Sequence, residues 1–175
     1  GDVYKRQEYF GRGPAENYLD RNAGSMVGLY KSTAEELYFP YVRPQENGHH
    51  TDTRWVSLST GKKGLLIQAD NTIGFNALRN SIEDFDDEEA TGLPRQWSNF
   101  TPEQVANHDE AAAKNVLRRQ HHINNITPRD FVEVCVDLKQ QGVAGYDSWG
   151  SRPEPAYTLP ANREYNWGFT LIPLK

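Results

Sequence analysis

With a single cysteine, Cys135, in 175 residues, the chain cannot form an internal disulfide. Its place in an alternating segment suits a small strand residue better than a nucleophile. Hydrophobic residues make up only 37%, and the mean hydropathy is −0.80, so long polar connections must surround a modest core. No apolar run approaches the roughly 18 residues that a membrane span needs. Basic residues are outnumbered, 19 against 24 acidic, for a net charge of −5. With no basic stripe, that balance argues against a nucleic-acid partner. Metal-ligand patterns are also missing. His49-His50 and His121-His122 are adjacent pairs, which point to opposite faces of a strand, and no Cys cluster or His-Glu-x-x-His accompanies them.

What is present reads mostly as strands. Leu37–Val42 is aromatic and β-branched, and its Pro40 suits an edge or bulge. Thr53–Leu58 alternates before the turn Ser59–Gly64, and Gly64–Ala69 reads as its hairpin partner. In Phe131–Leu138 the residues Val132, Val134, Val136 and Leu138 share one face. Near the end, Tyr165, Trp167, Phe169 and Leu171 share another. One helix is signalled, from the N-cap and capping-box pattern Thr101-Pro-Glu-Gln104 to about Arg118. The run Glu83–Glu89 reads as a solvated acidic loop. Its series Asp84, Asp86, Glu88 lacks the Gly and closing Glu of a calcium loop. Residues 1–7 open without Met and resemble a translated sequencing-adapter remnant, so authentic sequence is expected from about Glu8.

The segment with most chemistry is Gly145-Tyr-Asp-Ser-Trp149-Gly150. An indole on a Gly-bounded turn can stack on the apolar face of a sugar ring while polar neighbours hold hydroxyls. Trp149 is therefore the candidate platform. Asp147 is its companion, either binding a hydroxyl or orienting the loop, with the second role favoured. Unaided, a Trp in a turn is more often a core plug. Tyr9–Arg21 is dense in polar groups, yet it reads as a strand–turn framework in which Arg12, Glu16, Asp20 and Arg21 pair internally. Glu46-Asn47-Gly48 reads as turn chemistry.

Three blocks in order carry a resemblance: Tyr9-Phe-Gly-Arg-Gly-Pro-Ala-Glu-Asn-Tyr18 with Asp20-Arg21, Tyr41-Val-Arg-Pro-Gln-Glu-Asn-Gly48 with Thr53-Arg54, and Gln141-Gly-Val-Ala-Gly-Tyr-Asp-Ser-Trp149. Together they resemble glycoside hydrolase family 2 β-galactosidases. The resemblance implies an all-β fold, the later part of an antiparallel β supersandwich similar to galactose mutarotases. That sandwich would be incomplete here and interrupted by the one helix, with residues 8–175 forming part of the enzyme's C-terminal domain. It implies retaining hydrolysis of terminal non-reducing β-D-galactose, with two catalytic glutamates on an α/β barrel outside this chain. Magnesium and sodium are expected in that barrel, and no cofactor or metal in this chain. Trp149 would stack on the leaving-group side of the substrate. Partners would be the β-galactoside and the remaining domains. A homo-oligomer is compatible with the resemblance, and the bacterial compartment stays open between cytoplasm and periplasm.

Two departures stand out. Tyr146 occupies a position where the family often has a second Asp, and roughly Glu83–Phe100 is an insertion. Two other functions use the same residues: a non-catalytic carbohydrate-binding sandwich, and a purely structural sandwich.

Overall fold

The computed structural model describes residues 6–60, 63–85, 123, 126–147 and 149–175. The chain forms two compact units: residues 1–39, 47–79 and 129–175 make the first, and 40–46 with 80–128 the second.

The first unit is all-β. Its strands are β1 (Arg6–Gly13), β2 (Met26–Thr33), β3 (His50–Ser59), β4 (Gly64–Leu78), β5 (Glu133–Asp137) and β6 (Phe169–Leu174). They form one open antiparallel sheet in the order β2-β1-β3-β4-β5, with β6 also paired to β4. β4 is the organising strand. β3 runs along one of its edges, while β5 takes Gly74–Leu78 and β6 takes Gly64–Ala69 on the other.

β1 alternates as a strand with one buried face must: Gln7, Tyr9, Gly11 and Gly13 are buried and their neighbours are not. On that face Tyr9 meets Tyr30, His50 and Phe75, with ring centroids 5.4, 4.9 and 5.2 Å away. Edge-to-face packing on His50 and Phe75 suits the ring quadrupoles. Val56, Leu58, Ile67, Ile73 and Ala77 are among the other residues of the core. β3 buries His50, Thr53, Val56 and Leu58, a spacing that breaks strict alternation. The ladder shifts register on both sides of Thr53, and Asp52, within the first shift, has φ 51°, so a bulge resets the face. From Ile73 to Leu78 every residue of β4 is buried. Its second face is covered by Asn47 and His49: Asn76 Nδ2 donates to Asn47 O at 3.3 Å, and a Cβ on Gly74 would lie 2.4 Å from His49 Cε1.

Several sequence expectations change here. Leu37–Val42 is not a strand. Thr33 caps a one-turn helix α1 (Ala34–Leu37), its hydroxyl accepting from Glu36 N at 3.2 Å, and irregular chain follows. The stretch from Glu164 becomes a strand only at Phe169. Before it, the Gly168 carbonyl accepts from Asp70 N at 3.0 Å, and a Cβ at Gly168 would meet the Asp70 carboxylate at 2.4 Å. β2 has no counterpart in the sequence reading. The expected helix from Thr101 to about Arg118 lies outside the described residues, as does His121-His122.

Of the second unit, the described part includes a 3-10 turn, Ile82–Asp84. Within the acidic run Glu83 is exposed as expected, but its neighbour is not solvated. Asp84 is buried, and its Oδ2 accepts from Ser81 N at 3.2 Å and Asn80 Nδ2 at 3.3 Å. Residues 86–89 of that run lie outside the described residues.

Candidate functional site

The first sequence block is the hub that ties the other two together. Asn17 is fully buried and N–H to His49 O measures 2.7 Å. Its side-chain oxygen accepts from Thr51 N and Thr51 Oγ1, at 3.0 and 2.6 Å, while Nδ2 donates to Arg12 O and Ala15 O. All the polar capacity of its side chain is used, as burial demands. Glu16 Oε2 accepts from Gly48 N and Oε1 from Arg21 Nη1.

The expected internal pairing of Arg12, Glu16, Asp20 and Arg21 holds only for Glu16 and Arg21. Arg12 Nε instead meets Asp52 Oδ2 on the β3 bulge at 2.5 Å, and its Nη1 donates to Asn22 O and Ser25 O. Asp20 reaches furthest. Its Oδ1 accepts from Val143 N at 3.0 Å and its Oδ2 from Ala144 N at 2.8 Å. Sequence spacing gives no sign of a contact across more than 120 residues, and this one was missed.

That contact anchors the third block. Gly142 N donates to Tyr157 O at 2.8 Å, then the chain turns through Ala144 at φ 54° and Gly145 at φ 85°. The loop beyond closes on itself. Asp147 Oδ1 accepts from Trp149 N at 2.8 Å and Ser151 N at 3.3 Å, and Ser151 Oγ accepts from Tyr146 N at 3.1 Å. Gly150 has φ 88°, where a side chain is disfavoured. Trp149 stands out from this loop with 94% of its surface exposed. It is no part of this chain's core.

The two adjacent histidines part company, as strand geometry requires. His50 joins the Tyr9 cluster and sets Nδ1 2.9 Å from Gly48 O and Nε2 3.1 Å from Pro14 O. His49 stacks on Tyr18, centroids 5.5 Å apart, with neither ring nitrogen hydrogen-bonded. Burial, then the neighbouring His50, push its pKa down to about 4. Among the described residues no three His, Cys, Asp or Glu side chains are grouped to hold a metal ion. No helix among them is long and apolar enough to cross a membrane.

Comparison with known proteins fits this frame of three linked blocks. The family model of the beta-galactosidase small chain matches residues 2–171. The Beta-galactosidase of Priestia megaterium is 35% identical over 167 residues, covering 95% of this chain and 13% of that protein. The Beta-galactosidase of Streptococcus thermophilus is 28% identical over 176 residues, covering 99% of this chain and 14% of the relative. A third, from Arthrobacter sp., is 42% identical over 82 residues, 43% of this chain. The chain thus spans a small part of the length of the relatives it matches. On the strength of the family match, this chain belongs to the beta-galactosidase small chain family.

Proposed function

We propose that this chain works as the C-terminal sandwich segment of a β-galactosidase that releases terminal β-D-galactose from lactose-type substrates with retention. Trp149 supplies an aromatic platform to the aglycone side of the active site. The observation that carries this reading is the fully displayed indole on a loop whose backbone is closed by Asp147. Asp147 spends Oδ1 on the loop, which leaves Oδ2 for a sugar hydroxyl.

Retaining glycosidases need two carboxyl groups about 5–5.5 Å apart on a rigid scaffold. In this reading both glutamates, and the magnesium and sodium, belong to the barrel of the whole enzyme, and the segment alone is inactive. Trp149 holds the glucose of lactose during cleavage and an acceptor sugar during transfer. An aromatic platform contributes about 1–2 kcal/mol.

In the whole enzyme, Trp149→Ala is expected to weaken glucose-side binding roughly 5- to 30-fold. Hydrolysis of small aryl galactosides should persist, because their chemistry needs little from the platform. Loss of all activity in a folded enzyme would overturn the assignment. A non-catalytic sugar-binding sandwich would also use the exposed indole, but without any galactosidase activity in the polypeptide that carries it.

A further inference from the structure

We infer that Asp20 is the positioning residue for the Trp149 loop, setting where the indole stands without touching sugar itself. The inference rests on the platform reading of Trp149. Asp20 is well placed for this. It lies inside a turn closed by the Tyr18–Arg21 bridge, three residues after Asn17, whose side-chain hydrogen bonds to Thr51 fix the turn to β3. From that base the carboxylate takes two successive backbone N–H groups, Val143 at 3.0 Å and Ala144 at 2.8 Å. Hydrogen bonds to an ionised acceptor are stronger than neutral ones, and a two-point grip fixes orientation as well as distance.

The loop is shaped to receive this grip. A Cβ at Gly142 would lie 2.5 Å from Asp20 Oδ2, so glycine there makes room for the carboxylate. Ala144 adopts φ 54°, a conformation that an alanine holds only where its surroundings enforce it. Its N–H on Asp20 is that enforcement. Among the described residues, the hydrogen bonds joining Gly142–Ser151 to the rest of the chain are those to Asp20 and Tyr157. A Cβ on Gly145 or Gly150 would meet nothing within 4 Å, so packing does not hold the loop there. Without Asp20 the indole samples many positions, and binding weakens in inverse proportion to the fraction of time it is correctly placed.

The test uses the whole enzyme that carries this segment. Asp20→Ala should raise the KM for lactose, and the glucose concentration needed for half-maximal transfer, by roughly 3- to 20-fold. Its kcat on a small aryl galactoside should be unchanged. Asp20→Asn keeps one acceptor oxygen and should recover part of the loss. Gly142→Ala, which disturbs the same contact from the loop side, should reproduce it and covers the case of a poorly folding Asp20→Ala. Added to Trp149→Ala, Asp20→Ala should do nothing more, because one group acts through the other. If Trp149→Ala has its effect while Asp20→Ala and Gly142→Ala leave lactose and glucose unchanged, the clamp is overturned and the platform stands. Full additivity of the two substitutions would overturn it too. If Trp149→Ala changes nothing, the platform reading falls and takes the clamp with it.

Discussion

Glu16 Oε2 accepts the backbone N–H of Gly48 at 2.8 Å, out of solvent and 32 residues away. This hydrogen bond links the first sequence block to the second. A buried N–H left without a partner costs more than the bond itself contributes, because the group cannot return to water. Glu16→Ala should therefore lower the unfolding free energy of the chain by about 2–3 kcal/mol. Glu16→Gln, which keeps an acceptor oxygen, should cost about 1 kcal/mol or less. The ion pair to Arg21, whose side chain is 58% exposed, adds little to either figure. Urea midpoints measure both, and an alanine variant as stable as the parent would contradict the account.

Gly48 and Gly145 separate two kinds of glycine requirement. Both have positive φ, 73° and 85°. At Gly48 a Cβ would also lie 2.8 Å from Leu37 O and 3.0 Å from Leu78 Cδ2, while at Gly145 it would meet nothing. Alanine at Gly145 should cost only the backbone strain, about 1–2 kcal/mol. At Gly48 the backbone carbonyl of Leu37 cannot move aside cheaply, so the cost should reach about 3–4 kcal/mol. Unfolding of the two variants side by side decides it, and equal losses would mean that the contact yields.

The readable parts of the sequence are those where residue types alternate beside a local turn, whether or not burial alternates with them, as in β5, all of whose residues are half-buried. β3 and the first half of β4 follow from alternation around a turn, and β5 from its valines. β2 was not legible because its apolar residues face out: Met26 is 71% and Leu29 59% exposed, so no buried stripe marks it. Leu37–Val42 has strand-forming residues, yet Leu37 closes the helical turn that Thr33 caps and irregular chain follows it. The exposed turn that carries Asp147 and Trp149 was legible because Gly-bounded turns are local. Asp20 could not, because what it holds is two N–H groups that carry no residue signature of their own.

Thr53 offers a case where removing a polar group should help. It is fully buried between the register shifts of β3, and its Oγ1 has no hydrogen-bond partner. It packs so close to β1 that a Cβ on Gly11 would sit 2.5 Å from that oxygen. Folding strips water from the hydroxyl and gives nothing back. Thr53→Val, nearly the same shape, should be stabilising by about 1 kcal/mol, or about 2–4 °C in Tm for a chain of this size. A fall in Tm of similar size would show that the hydroxyl is satisfied.

His49 makes the chain acid-sensitive in a defined window. The ring is buried against Tyr18 and Gly74, with His50 beside it in sequence and Asp137 Oδ2 3.9 Å from Nδ1, beyond a hydrogen bond. Asp52 and Lys139 line the small cavity, about 30 Å³, on which it borders. Burial lowers its pKa from 6.5 to about 4, while the unfolded chain keeps the ordinary value. Between those values the unfolded state binds the extra proton and the folded state does not. Stability is then complete above pH 6.5, falls as pH drops, and has lost about 3 kcal/mol from this group by pH 4. Carboxylates contribute to acid unfolding below about pH 5, so the comparison with His49→Phe isolates the imidazole. That variant keeps a ring on Tyr18 but cannot titrate. Its unfolding free energy should decline less steeply from pH 6.5 to 5 than the parent's, because His50, whose pKa burial also lowers, still contributes there, and parallel curves of equal slope would rule out a buried neutral His49.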